Sequence, residues 1–159
     1  MDVVTVGALL VSVNLLFAGL LAGEELVIRY GVRGPIASLD QRPHILVRQA
    51  LIRRLRVLVP GLIVPALLSG LLVTLLDPRG PQVVLRGLGV LALLVLVLVT
   101  LLGTVPINAA ALDWPPDAPP ANWQARVRQW ERLDTLRCWA ALLAFALFAL
   151  APAVPPAAS

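Results

Sequence analysis

Long runs without charge alternate along the chain with shorter stretches that carry arginine. Val3–Gly23 is 21 residues interrupted only by Thr5, Ser12 and Asn14. At about 1.5 Å rise per residue such a run spans the roughly 30 Å of one bilayer core. Val57–Leu76 is the second run, with Pro60 and Pro65 inside it and Asp77-Pro78-Arg79-Gly80-Pro81 closing it. Its prolines predict a kink near the start of the helix, tolerated where neighbouring helices pack. Leu88–Val105 is the third and purest run, ending at Thr104-Val105-Pro106-Ile107-Asn108; Trp139–Val154 is the fourth, stopped by Pro152 and the Pro155-Pro156 tail. The pattern predicts spans at about 3–23, 57–76, 86–105 and 138–154 in one domain covering 1–159. The expected fold class is all-α, an integral membrane antiparallel four-helix bundle with cytoplasmic helical extensions. A signal peptide cleaved near Ala22 is the other reading of the first run. Its leading region carries Asp2 and no basic residue, and the run exceeds a normal signal core, so a retained helix is expected.

The stretches between the runs have structure of their own. Ile45–Leu58 contains neither Gly nor Pro and predicts a helix running into the second span, while Asp113–Pro120 is Pro-rich and irregular. Asn122 is the expected N-cap of a helix from Trp123. Arg29, Arg33, Arg42, Arg48, Arg53, Arg54 and Arg56 precede the second span, and Arg126, Arg128, Arg132 and Arg137 precede the fourth. Only Arg79 and Arg86 lie on the other side of the membrane. The positive-inside rule then puts both long connections in the cytoplasm and both termini outside it.

Composition sharpens this picture. Hydrophobic residues make up 59% and charged residues 14%, against about 25% charged in soluble domains, so a soluble enzyme and a disordered chain are both excluded. The net charge of +4 comes from arginine alone, and aromatics are only 5%. A nucleic-acid binder needs a basic face interleaved with stacking aromatics, so the charge is membrane topology and the expected partner is the lipid bilayer, with no nucleic acid. The absence of lysine fits a GC-rich bacterial genome and thus a bacterial inner membrane. One cysteine, one histidine and one methionine are too few for a tetrahedral zinc site, a bis-histidine haem, an iron–sulfur cluster or a two-histidine di-iron site. None of these metal centres is therefore expected; a carboxylate-rich site from Glu24, Glu25, Asp134 and His44, an organic cofactor, and chemistry without a cofactor stay open. His44, behind Pro43 at a loop-to-helix junction, is expected to be solvated, and Cys138 to be a small packing residue.

Several polar residues fall on defined helix faces. Gly7, Val11, Asn14, Ala18, Ala22, Glu25 and Arg29 share one stripe of the first helix, small or polar throughout. Small residues let helices approach closely in lipid, and an intramembrane Asn wants a partner across the interface. Glu25 therefore points into the bundle, either bridged to Arg29 one turn on or as a partly desolvated proton acceptor; Glu24, about 100° away, has the weaker claim. Trp123, Val127, Trp130, Asp134 and Arg137 form a second stripe. They are either an interfacial anchor or a ligand-binding face on which an Asp134–Arg137 pair positions the guanidinium. Thr100, Thr104 and Asn108 share a face of the third helix, where the threonines back-bond to the helix or Asn108 serves as an oxyanion donor.

The segment TVPINAAALDW, a Pro-rich spacer and NWQARVRQWERLDTLR leading into a terminal apolar helix resembles a family of small four-helix membrane proteins. That family includes the anthrone oxygenases of fungal polyketide pathways. Its pattern is an Asn-x-Pro-x-Asn-like end to the third helix, then W…R..W…H..R before the fourth. Here those positions read Thr104, Pro106 and Asn108, then Trp123, Arg126 or Arg128, Trp130, Asp134 and Arg137. Thr104 replaces the first Asn, and Asp134 stands where the pattern has His. The resemblance implies oxygenation of an aromatic or quinone-like substrate without a cofactor. Asp134 or Glu25 would then be the base, and Arg137 and Asn108 the enolate stabilisers. Trp123, Trp130, Asn14, Thr104 and Arg48 would contact substrate. The competing reading is a non-catalytic binder or accessory subunit in which the same cluster locks the helix ends.

Overall fold

The computed structural model describes residues 3–76 and 82–153, side chains from residue 5 onward. All of its regular elements are helical: α1 (Val3–Leu26), α2 (Arg33–Ala37), α3 (Gln41–Leu76), α4 (Gln82–Val99), α5 (Val105–Leu112) and α6 (Trp123–Leu150), with a closing 3₁₀ turn at Ala151–Ala153. A π-helical segment, Val27–Val32, fuses α1 to α2, and a second, Thr100–Thr104, fuses α4 to α5. The result is four rods, Thr5–Ala37, Gln41–Leu76, Gln82–Leu112 and Trp123–Ala153, each long and apolar enough to cross a membrane. Residues 77–81, with Arg79, and those from 154 onward lie outside the described residues.

With 31 to 36 residues, each rod is roughly 46–54 Å long, against about 30 Å of hydrocarbon. The excess gathers at the arginine-rich end. The helix expected over Ile45–Leu58 is the start of α3, which continues through Pro60 and Pro65 to Leu76. The first connection is therefore only Ser38, Leu39 and Asp40 rather than a long one.

The third rod also departs from expectation. Pro106 does not end it, because the chain widens into π geometry before the proline and Val105 N–H bonds to the Thr100 carbonyl five residues back. A proline lacks the N–H for the carbonyl four residues earlier and its ring crowds that group; here that carbonyl is Leu102, inside the π segment. Pro35 stands in the same relation to Gly31, and Arg33 N–H bonds to the Ile28 carbonyl. Both π segments thus have a proline as their local cause. The 113–122 connection is irregular as expected, but Asn122 makes no side-chain cap; its carbonyl accepts from Arg126 N–H at 3.1 Å.

α1 packs on α3 and α6, and α4 on the same two helices, so the rods form a four-membered antiparallel ring. The core is built on small residues, with Ala18, Ala22, Ala66, Ala92, Ala141 and Ala144 all buried around Leu21, Leu93 and Leu96. In its half away from the arginines, the ring of Phe148 wedges between Gly70 and Gly89. A Cβ on either glycine would come within 2.8 or 3.0 Å of that ring. Asn14 donates from Nδ2 to the Ala66 carbonyl at 3.0 Å and to Ser69 Oγ at 3.4 Å, clasping α1 to α3. A second apolar cluster, Ile45, Ile52, Ala111, Trp114 and Val127, joins the arginine-rich ends. The Gln49 amide donates there to the carbonyls of Ala111, Leu112 and Trp114 at 3.0–3.2 Å, satisfying the C-terminus of α5.

Candidate functional site

Between these two clusters the four rods enclose a cavity of about 430 Å³ in their arginine-rich half, within the range of small-molecule sites. Every rod contributes. The second supplies a stripe, His44, Arg48, Leu51, Ile52, Leu55 and Val59, and both π segments reach the wall through Ile28, Val32, Thr100 and Thr104. The apolar lining lies against four carboxylates, Glu24, Glu25, Glu131 and Asp134, and four guanidinium groups, Arg33, Arg48, Arg56 and Arg137.

Three ion pairs cross from the first rod to α6 among the described residues. Arg137 donates to Glu25, and Arg33 Nη1 donates to Asp134 Oδ2 at 3.4 Å, with its Nη2 3.5 Å from Glu131. Arg29 donates to the Thr135 hydroxyl. These pairings replace both expected ones: Glu25 is bridged to Arg137 rather than Arg29, and Asp134 to Arg33 rather than Arg137. The cause is packing: α6 lies against the first rod, bringing Arg137 to Glu25 and Asp134 to Arg33, and both carboxylates are 1% exposed.

Other polar atoms on residues that line the cavity have no partner. Arg48 is buried with its guanidinium 4.5 Å over the Trp130 ring, and its Nε and Nη2 make no hydrogen bond. Trp130 Nε1, Arg137 Nε, Glu24 Oε2, Asn108 Oδ1 and His44 Nε2 are likewise buried and unpartnered. Buried polar groups are nearly always satisfied in folded proteins, and a cluster of exceptions around one cavity marks where a ligand's polar atoms belong. The donors are the guanidinium and indole groups; the acceptors are a carboxylate, an amide oxygen and an imidazole.

Most residues singled out from the sequence converge here. Asp134, Glu25, Arg137, Asn108, Trp130, Thr104 and Arg48 all line the cavity. Thr104 lines it while donating to the Thr100 carbonyl at 3.2 Å, and Thr100 donates to Leu96 at 2.7 Å, the back-bonded arrangement. Asn14 lies in the helix interface away from the lining, and Trp123 stands behind the wall, its ring edge-on to His44 at 5.2 Å. His44 is buried rather than solvated, at 6% exposure, because its helix begins at Gln41 and carries it beneath the α6 start. Arg33, Gln49 and Trp114 gained no site role from the sequence, and Glu24 only the weaker claim beside Glu25 and a place in the alternative carboxylate set. The spacing His44, Arg48, Ile52, Leu55, Val59 was the available sign of an inward face, at four, four, three and four residues. Cys138 is fully buried, a packing residue. Among the described residues, no three His, Cys, Asp or Glu side chains come together as a metal-binding group.

The family model described as anthrone oxygenase matches residues 49–147, well over half the chain and all of α4, α5 and the helical run up to α6 residue 147. No curated protein and no solved structure gives a significant match.

Proposed function

The chain belongs to the anthrone oxygenase family, and on that premise we propose that it oxygenates an anthrone-like, hydrophobic aromatic substrate held in the cavity between its four rods. The single observation that carries this reading is the ring of unpartnered polar atoms around an otherwise apolar cavity. A planar aromatic ketone supplies what that arrangement lacks: faces for Trp130 and the aliphatic wall, and one oxygen for the free donors.

The chemistry asks little of a protein. A base removes a proton from the methylene carbon opposite the ketone, and the electron pair passes into an enolate. The enolate carbon takes up dioxygen; loss of water from the resulting hydroperoxide leaves a second carbonyl, so that one dioxygen is consumed and one water released per quinone. The acceptors at hand are the carboxylates of Glu24, Glu25 and Asp134 and the imidazole of His44; Arg48, Arg137 and Asn108 are the groups that can stabilise the enolate oxygen. In this reading the arginine-rich end faces the cytoplasm of a bacterial inner membrane, by the positive-inside rule.

The test is anthrone-dependent oxygen uptake by the purified protein in lipid vesicles. Uptake above protein-free vesicles, with quinone formed mole for mole, is the expected result. No uptake by folded protein refutes the oxygenase reading; a ligand-dependent melting shift without uptake would instead support a non-catalytic binder.

A further inference from the structure

We propose that His44 is the proton acceptor of this site and that Arg48, one helical turn further on, receives the negative charge which the proton transfer creates. This rests on the oxygenase reading above and deepens it.

The two side chains are four residues apart in α3, on one face, and both line the cavity. His44 is fixed from three sides. Its backbone N–H bonds to the Asp40 carbonyl at 2.9 Å, its ring rests edge-on against Trp123 at 5.2 Å, and its Nε2 is buried without a partner. A neutral imidazole with a free ring nitrogen carries a lone pair that nothing in the protein uses. Arg48 is the complement. It stacks 4.5 Å over Trp130, and its Nε and Nη2 are buried with no acceptor.

The alternatives are engaged elsewhere. Asp134 Oδ2 accepts from Arg33, and Glu25 Oε1 from Arg137. Protonating Glu25 would leave the buried Arg137 guanidinium without its counter-charge, and protonating Asp134 would remove one of the two carboxylates that hold Arg33, costly states for a group that must cycle at each turnover. Glu24 has a free oxygen, yet it adjoins Glu25 in the chain, and its neighbouring cation, Arg137, already pairs with Glu25. His44 pairs a free acceptor with a neighbouring guanidinium whose Nε and Nη2 are free. The carbon–hydrogen bond breaks, an Nε2–H bond forms, and the electron pair ends on an oxygen facing Arg48; the site holds one imidazolium and one enolate in place of two neutral groups. Both residues precede position 49, where the family match begins, so that match assigns neither of them a role.

The experiment isolates proton transfer from oxygen chemistry. The full chain in vesicles is given anthrone in D₂O without oxygen, and deuterium entry at the methylene carbon is followed by NMR. Oxygen uptake and anthrone binding, read by tryptophan quenching, are measured on the same samples. His44→Gln is expected to exchange at least 100-fold more slowly than the wild type, to bind anthrone within threefold, and to recover at least tenfold on adding imidazole. Exchange within threefold of wild type overturns the proposal, and so does lost exchange that imidazole does not restore while binding is intact. Should His44→Gln not bind anthrone, His44→Asn repeats the measurement, and loss of binding in both assigns the residue to packing and overturns its role as acceptor. A wild type that neither exchanges nor oxygenates anthrone refutes the underlying reading; a wild type that does both, with His44→Gln unimpaired, refutes the acceptor alone.

Discussion

Breaking the Glu25–Arg137 bridge from one side should cost far more than removing it altogether. The two side chains are 1% and 8% exposed, on neighbouring helices of the ring. Replacing Glu25 with Leu leaves the Arg137 guanidinium buried, its Nε already unpartnered and the carboxylate it donates to gone. Removing one partner of a buried pair costs about 3–5 kcal/mol, because the other charge is stranded. Arg137→Met strands Glu25 in the same way. The double variant removes both charges of the pair, and hydrophobic replacement of a buried pair is often neutral or stabilising. The expected pattern is two singles, each about 3–5 kcal/mol less stable, and a double within about 1 kcal/mol of wild type. At about 2–4 °C per kcal/mol for a chain of this size, the singles melt roughly 6–20 °C lower in detergent, and the double melts near wild type. The assay is thermal unfolding of all four proteins in one detergent, treated as a double-mutant cycle. Additive losses in the double variant would refute the reasoning, since the cost would then come from packing at each position.

Two further outcomes follow from particular contacts. Gly70→Ala gains helix propensity of about 1 kcal/mol, yet its Cβ falls 2.8 Å from Phe148 Cζ. That ring is held by Gly89 on its other side, so overpacking costing about 1–3 kcal/mol wins: the variant melts lower, and adding Phe148→Leu restores it, as melting curves of the single and double variants will show. Arg48→Met removes a guanidinium that has no hydrogen bond. Its melting temperature should hold or rise, while anthrone-dependent oxygen uptake falls by about 10²–10³-fold; a drop in both would mean that Arg48 serves stability instead.

The membrane bundle was legible because a lipid-crossing helix announces itself by length and apolarity. The stripe Asn14, Ala18, Ala22, Glu25 was read from periodicity, and all four residues are buried. Who pairs with whom was not legible. Local spacing favours Glu25 with Arg29 and Asp134 with Arg137, whereas the actual partners, Arg137 and Arg33, are over a hundred residues away in sequence and meet only because α6 docks on the first rod. His44 was misjudged for a related reason. A Pro-preceded histidine after a polar turn looks solvated until the Trp123 end of α6 is laid over it. Gln49 was overlooked because capping a distant helix by a side-chain amide leaves no periodic trace.

The two π segments have a consequence for how the rods are aimed. Each holds one residue more than an α-helix would use over the same hydrogen-bonded turn, so the chain beyond it is turned about its axis by roughly one residue, about 100°. The faces of α2 and α5 are thereby uncoupled from those of α1 and α4. A straight rod has to offer a single bearing to the bilayer-spanning core and to the chamber above it. With the offset, the small-residue seam below and the Thr104 and Asn108 wall above are set independently, so substitutions that tighten one leave the compass heading of the other unchanged.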